Sequence, residues 1–120
     1  MALLTPRHDS VPCPWTPENS RHDHQLIFPQ TGDLLLLWNN VASERGTPRT
    51  PLTAAISTDD GDSWRTVGDI DDRADFHVAY PSAFFQDDEV IISYYTRDNA
   101  RWARDAELAL RIYGIDDFYQ

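Results

Sequence analysis

The sequence predicts an all-β fold made of short antiparallel strands. Its apolar residues fall in brief runs of roughly four to eight residues, and Gly, Pro, Asn or Asp residues bound most of these runs. No helix long enough for an α/β fold is predicted anywhere in the chain. A strand–turn–strand–loop–strand order also occurs twice, offset by roughly fifty to sixty residues.

The first repeat covers residues 23–67 and contains four predicted strands. His24–Phe28 and Leu34–Asn39 form a hairpin around a turn that is rich in Gly and Pro. The second of these strands is a continuous apolar run, which is typical of a strand buried on both faces. Leu52–Ser57 and Trp64–Val67 form a second hairpin.

The second repeat covers residues 80–113 and contains three predicted strands. Pro81–Gln86 and Glu89–Thr96 enclose a short turn, and Glu107–Tyr113 alternates as a strand does, although its Ala-Leu-Ala-Leu stretch is also compatible with a helix. Residues 68–79 are predicted to be an acidic loop. Repeats of about forty to fifty residues with four strands each are typical of β-propeller blades, so the sequence predicts about two four-stranded antiparallel blades.

The two ends of the chain flank these repeats. Residues 1–22 are predicted to be a lead-in loop that could include one short strand, because several prolines prevent a regular helix. Residues 114–120 form a C-terminal tail with one helical turn. The N-terminus has no apolar core or cleavage site of a signal peptide, which predicts a cytoplasmic location if the chain is complete.

Charge and composition exclude several classes of function. The 120 residues carry a formal net charge of −10, which repels nucleic acid and anionic membranes at long range. The single cysteine, Cys13, cannot form an internal disulfide. No phosphate-binding Gly-rich loop, Cys cluster or dinucleotide fingerprint is present, and no cofactor is expected.

Residues 57–64 match the Asp-box pattern Ser-x-Asp-x-Gly-x-Ser/Thr-Trp. Ser57 opens the motif, and Asp59 can accept backbone N–H bonds within its own turn. Gly61 supplies a positive φ, and Trp64 packs the turn against the sheet. These four residues predict a structural device that lies away from any reactive centre.

Three further stretches extend this match: residues 32–39, 49–52 and 79–82. With the Asp box and the last strand, they resemble sialidase-like proteins of the BNR-repeat class over about residues 15–119. The resemblance implies the C-terminal part of a six-bladed sialidase-type β-propeller, and an activity of retaining hydrolysis on acidic sugars with a Tyr nucleophile.

The resemblance also implies roles for particular residues. Tyr80 is the expected nucleophile, since it opens the first strand of the second repeat. Arg49 is expected to bind the substrate carboxylate, and Arg21 is a further anion contact. Asp23 is the expected base that takes the phenol proton, although the family has a Glu in this region. His77 is placed near the same cleft.

Other polar clusters have simpler interpretations. His22 and His24 flank Asp23, but no third ligand has a fitting spacing, so no metal is expected. Trp102 and its neighbouring arginines could border a sugar site or form an exposed loop; these arginines are Arg97, Arg101 and Arg104. The pairs Asp71-Asp72 and Asp87-Asp88 are predicted to be solvated turns.

Two alternatives to the hydrolase remain open at this point. One is a non-catalytic glycan-binding or interaction propeller, and the other is a propeller-type polysaccharide lyase that uses Tyr as acid or base. In all three cases, two blades leave open sheet edges and an uncovered flank. The expected partners are therefore an acidic glycan and either the remaining blades or a second copy, and the chain alone is expected to be inactive.

Overall fold

A computed structural model describes residues 5–6, 10–11, 24–41, 48–98 and 106–119. The all-β prediction is confirmed, because the described residues form two antiparallel sheets and a single 3₁₀ turn. Within these ranges no helix has the length and apolar character needed to cross a bilayer.

The first sheet is built around a four-stranded meander. Its central strands are those predicted for the first repeat. Two short N-terminal strands pair with β6, where the sequence predicted a lead-in loop with one short strand. The strands are β1 Thr5–Pro6, β2 Ser10–Val11, β3 His24–Ile27, β4 Leu34–Asn39, β5 Leu52–Ser57 and β6 Trp64–Asp71. Lateral order in the meander is β6-β5-β4-β3.

The second sheet has three strands among the described residues, in the order β7-β8-β9. They are β7 Phe76–Gln86, β8 Glu89–Asp98 and β9 Glu107–Gly114. The three strands predicted for the second repeat are therefore confirmed, whereas the described residues provide no fourth strand to complete a four-stranded unit. After β9 the chain turns into a 3₁₀ helix, Ile115–Phe118, whose last side chain is fully buried.

The predicted loop at residues 68–79 is also wrong, since only residues 72–75 separate β6 from β7. β6 extends as far as Asp71 because Asp71 pairs with Leu52 in β5 and Ile70 is buried in the core. The acidic composition of this segment suggested a loop, but pairing and burial outweigh composition here.

A single apolar core fills the space between the two sheets. It includes Leu35 and Leu37 from β4, Val90 and Ile92 from β8, and Phe118 after β9. Each of these side chains is fully buried. Alternate residues of β4 face this core, and the intervening Leu36 and Trp38 lie in a separate buried cluster on the other face of the first sheet. β4 is thus buried on both faces.

Antiparallel order divides the connections between two ends of the molecule. The turns at residues 28–33, 58–63 and 87–88 lie at one end, which we call the turn end. The connections at 40–51 and 72–75 lie at the other end, which we call the loop end, together with the start of β7. Side chains from separate parts of the sequence therefore meet at the loop end.

Candidate functional site

Arg49 and Tyr80 meet at the loop end of the molecule. The Nη1 group of Arg49 donates a hydrogen bond to the Tyr80 hydroxyl oxygen over 3.1 Å. The guanidinium carbon lies 5.6 Å from the centre of the Tyr80 ring. Tyr80 is 59% exposed, so its hydroxyl can be reached from solvent.

The backbone at Tyr80 has an unusual conformation for a tyrosine. Its φ of 55° lies in the left-handed region, which disfavours a residue with a Cβ by roughly 1–2 kcal/mol. The register between β7 and β8 shifts between Ala79 and Ser82, so Tyr80 and Pro81 form a β-bulge. The bulge turns the ring toward Tyr95 of β8, with 5.4 Å between ring centres.

Backbone contacts hold Arg49 against the start of β7. The Val78 N–H donates to the Arg49 carbonyl over 2.9 Å. The Arg49 N–H donates to Nδ1 of His77 over 3.3 Å. His77, predicted to lie near the same cleft, thus contacts the backbone of the residue that carries the guanidinium.

Asn39 is fully buried and joins three parts of the loop end. Its side-chain amide donates to the carbonyls of Val78 at 2.8 Å, Arg49 at 3.1 Å and Pro51 at 3.3 Å. Because two of these carbonyls belong to residues 49–51 and the third to β7, Asn39 sets the distance between Arg49 and the strand that carries Tyr80.

A second polar cluster lies between the sheets near the loop end. The Tyr94 hydroxyl donates to Oδ2 of Asp71 over 2.9 Å, and Nε of Arg111 donates to the Tyr94 oxygen over 3.1 Å. Arg73 donates from Nε and Nη2 to both oxygens of Asp71. The cluster connects β6 of the first sheet with β8 and β9 of the second.

Burial and hydrogen bonding have opposite effects on the Asp71 carboxyl. Burial alone would raise the pKa of Asp71, but the hydrogen bonds from Arg73 and Tyr94 outweigh it, and the pKa lies below its usual value. Burial raises the pKa of Tyr94. Asp71 is 4% exposed, so the prediction of a solvated turn is wrong for this residue, whereas the neighbouring Asp72 is exposed.

The Asp box lies at the turn end, opposite Arg49 and Tyr80. Asp59 accepts bonds from the Ser63 N–H and the Ser57 hydroxyl, each at 2.8 Å. Its bonds from Ser63 and then Ser57 lower the pKa of Asp59 to about 2. Gly61 has a φ of 90°, and the Trp64 indole N–H donates to the Gly61 carbonyl over 3.2 Å. These contacts stay within the turn.

Several predicted residues lie outside the described residues. They are Arg21, His22, Asp23, Arg101, Trp102 and Arg104, and the side chain of His24 is also outside this part. Arg97 is described and lies half-buried on β8. Within the described ranges, no group of three His, Cys, Asp or Glu side chains could hold a metal ion.

Sequence reasoning missed Asn39, Tyr95 and the Asp71 cluster. A polar residue that ends a continuous apolar strand was the available signal for Asn39, because a buried amide needs hydrogen-bond partners. Arg73, two residues after Asp71, is a local partner, but no local pattern marks the burial of Asp71, since Tyr94 of β8 and Arg111 of β9 lie more than twenty residues away.

Comparisons with known proteins identify no relative. No protein-family model matches the sequence, no curated protein is significantly similar to it, and no solved structure matches its fold.

Proposed function

We propose that this chain is part of a sialidase-like glycoside hydrolase that acts on acidic sugars. The observation that carries the proposal is the contact between the Arg49 guanidinium and the exposed Tyr80 hydroxyl. In this proposal Tyr80 is the nucleophile and Arg49 binds the substrate carboxylate. The finer fold assignment belongs to the same proposal, namely that the two sheets are blades of a six-bladed propeller.

The chemistry of the two groups supports these roles. A guanidinium carries five N–H donors in a planar fork that matches a carboxylate, and the contact with Tyr80 engages Nη1. A substrate carboxylate bound to this fork would lie next to the phenol oxygen. An adjacent sugar ring could stack on the face of Tyr95, which lies beside Tyr80.

The strained backbone of Tyr80 supports a functional role as well. Left-handed conformations of non-glycine residues persist where the surrounding structure imposes them, and they cluster at active sites. Here the bulge interrupts the regular alternation of side chains along β7. It thereby changes the direction of the Tyr80 side chain and exposes the phenol. Asp23, proposed as the base, lies outside the described residues.

Binding of a sialic acid tests the site in this chain. We expect N-acetylneuraminic acid to shift the aromatic NMR signals of Tyr80 and Tyr95. Arg49→Ala should weaken binding at least about tenfold, because charge-assisted bonds to the carboxylate are lost. Tyr80→Phe should keep binding, since the ring and the arginine remain. A neutral hexose is the control ligand and should cause no shifts.

Turnover tests the nucleophile and requires a chain that includes the remaining blades. Tyr80→Phe should lower kcat on a chromogenic α-sialoside by more than about 1,000-fold. Binding without hydrolysis in that longer chain would indicate the glycan-binding alternative, and an unsaturated product would indicate a lyase. Equal affinity of Arg49→Ala and the wild type would contradict the proposed site.

A further inference from the structure

The outer face of the second sheet carries an exposed apolar surface. On β9, Leu108 is 75% exposed, Leu110 60% and Ile112 43%, and on β7 Phe84 is 62% exposed. These four side chains face away from the core between the sheets, which the alternate residues of the same strands fill. We call this surface the outer face.

Strand register shows that the outer face is continuous. Phe84 pairs with Ile91, which pairs with Ile112, and these three form one row across the sheet. The next row contains Ser82, Ser93 and Leu110, and the one after it contains Ala79, Tyr95 and Leu108. None of these rows contains a charged side chain, although the chain as a whole carries a net charge of −10. A contiguous apolar face of this kind has the size of the largest patch on a typical monomer, and such patches often mark an interaction surface.

Among the described residues, the first sheet offers no equivalent open surface to a partner. Its face away from the core carries Leu36, Trp38, Ala55 and Trp64, and each of them is at most 6% exposed. One copy therefore cannot place its outer face against the first sheet of the next copy to build an open array. The arrangement left for two copies is outer face against outer face, which closes with two-fold symmetry.

Charges at the two ends of β8 select the orientation of such a pair. Alternation along β8 places Glu89 and Arg97 on the outer face, at the turn end and the loop end respectively. Ser93 lies midway between them. A two-fold axis across the strands at Ser93 brings Glu89 of each copy toward Arg97 of the other. An axis along the strands would instead bring like charges together.

The size of the outer face sets the strength of the pair. The nine residues from Glu89 to Arg97 of β8 are about 26 Å long, and three neighbouring strands are about 14 Å wide, so the outer face covers about 360 Å² per copy. Stable interfaces bury about 800 Å² per partner, so this contact belongs to the weak class. We propose that two copies of this chain associate weakly through their outer faces, with antiparallel β8 strands and reciprocal Glu89–Arg97 contacts. The inference does not depend on the proposed glycosidase chemistry, but Tyr95 belongs to both surfaces, so a sugar stacked on Tyr95 and the dimer would compete.

Sedimentation velocity of the 120-residue chain, from low micromolar to millimolar concentration at physiological salt, tests the dimer. We expect a concentration-dependent monomer–dimer equilibrium. Leu110→Lys should raise the dissociation constant at least about tenfold, because it introduces two charges at the centre of an apolar contact. Ile27→Lys is the matched control, since Ile27 is 61% exposed on the first sheet, and it should leave the constant unchanged.

Charge reversal tests the orientation. Glu89→Arg and Arg97→Glu should each weaken the dimer by about threefold to tenfold, and the double reversal should restore it. Asp62→Arg, an exposed change of the same charge in the Asp-box turn, is the control. A wild-type chain that stays monomeric at millimolar concentration, a dimer that is insensitive to Leu110→Lys, or single reversals without effect would overturn the proposal.

Discussion

Asp71 shows how one carboxylate can lie between two sheets of an acidic protein. It ends β6, and its side chain is nearly inaccessible, while the arginines that bind it remain partly exposed, with 44% of the Arg73 side chain and 40% of the Arg111 side chain accessible. Partial exposure keeps the arginines hydrated, so the desolvation penalty falls mainly on the carboxylate, and the hydrogen bonds offset it.

We predict that Asp71→Asn lowers the free energy of unfolding by about 2 kcal/mol at pH 7, since it removes charged hydrogen bonds. The folded pKa of Asp71 is lowered from 3.8, so the contribution is present above pH 3.8 and is lost as pH falls through the folded value. Urea unfolding of both proteins between pH 7 and pH 2.5 measures it.

The difference between the wild type and Asp71→Asn should therefore shrink below about pH 4. Asp72→Asn is the matched control, because Asp72 is exposed next to it, and we expect a change within about 0.5 kcal/mol. A difference that stays constant with pH would contradict a stabilising carboxylate at position 71.

For individual residues, the sequence predicted some placements correctly and others wrongly, and each outcome has a physical reason. Arg49 stands shortly before β5, so its placement at the loop end could be inferred from antiparallel order. Tyr80 was predicted to open a strand, but β7 begins at Phe76 and Tyr80 lies inside it. The left-handed backbone of Tyr80 could not be inferred, because Pro81 and the bulge depend on pairing with β8. Asp71 was misread because local composition contains no information about Tyr94 or Arg111.

At the scale of elements, the connection at the end of β4 depends on Asn39. Its amide bonds to residues 49–51 and to β7 replace regular pairing where the chain leaves the sheet. The backbone carbonyls of Arg49 and Pro51 also accept N–H bonds from Val78 and Asn40. Loss of the Asn39 amide would thus weaken this connection without leaving those two carbonyls unpaired.

We predict that Asn39→Leu lowers the free energy of unfolding by about 1–2 kcal/mol, since a similar volume remains but the buried hydrogen bonds are lost. Urea denaturation measures the change. Gln86→Leu replaces an exposed amide at the end of β7, and we expect it to change stability by less than about 0.5 kcal/mol. Equal effects of the two substitutions would show that the Asn39 bonds add no stability.

The elements themselves were largely predictable. β4 follows a continuous apolar run and β5 a short, mostly apolar one, and their predicted bounds match the structure because burial on both faces leaves a strong sequence signal. β6 and β7 extend beyond their predicted bounds, since the residues that extend them are stabilised by pairing with β5 and β8 rather than by their own composition.

At the scale of the whole molecule, Phe118 connects the two sheets at the turn end. Its ring lies 5.9 Å from that of Phe28, which follows β3, and 5.6 Å from that of Tyr113 in β9. Arg65 of β6 donates to the Phe118 carbonyl over 2.7 Å. One fully buried residue of the 3₁₀ turn therefore contacts both sheets.

We predict that Phe118→Ala lowers the free energy of unfolding by about 3–5 kcal/mol, because it opens a cavity in a shared core. Both sheets should lose stability together, since the core between them is continuous. Hydrogen exchange measures this as an equal loss of amide protection in β4 and β8. Phe84→Ala, the same substitution on the exposed outer face, should change protection little in dilute protein. Loss of protection confined to β8 and β9 would mean that the two sheets unfold separately.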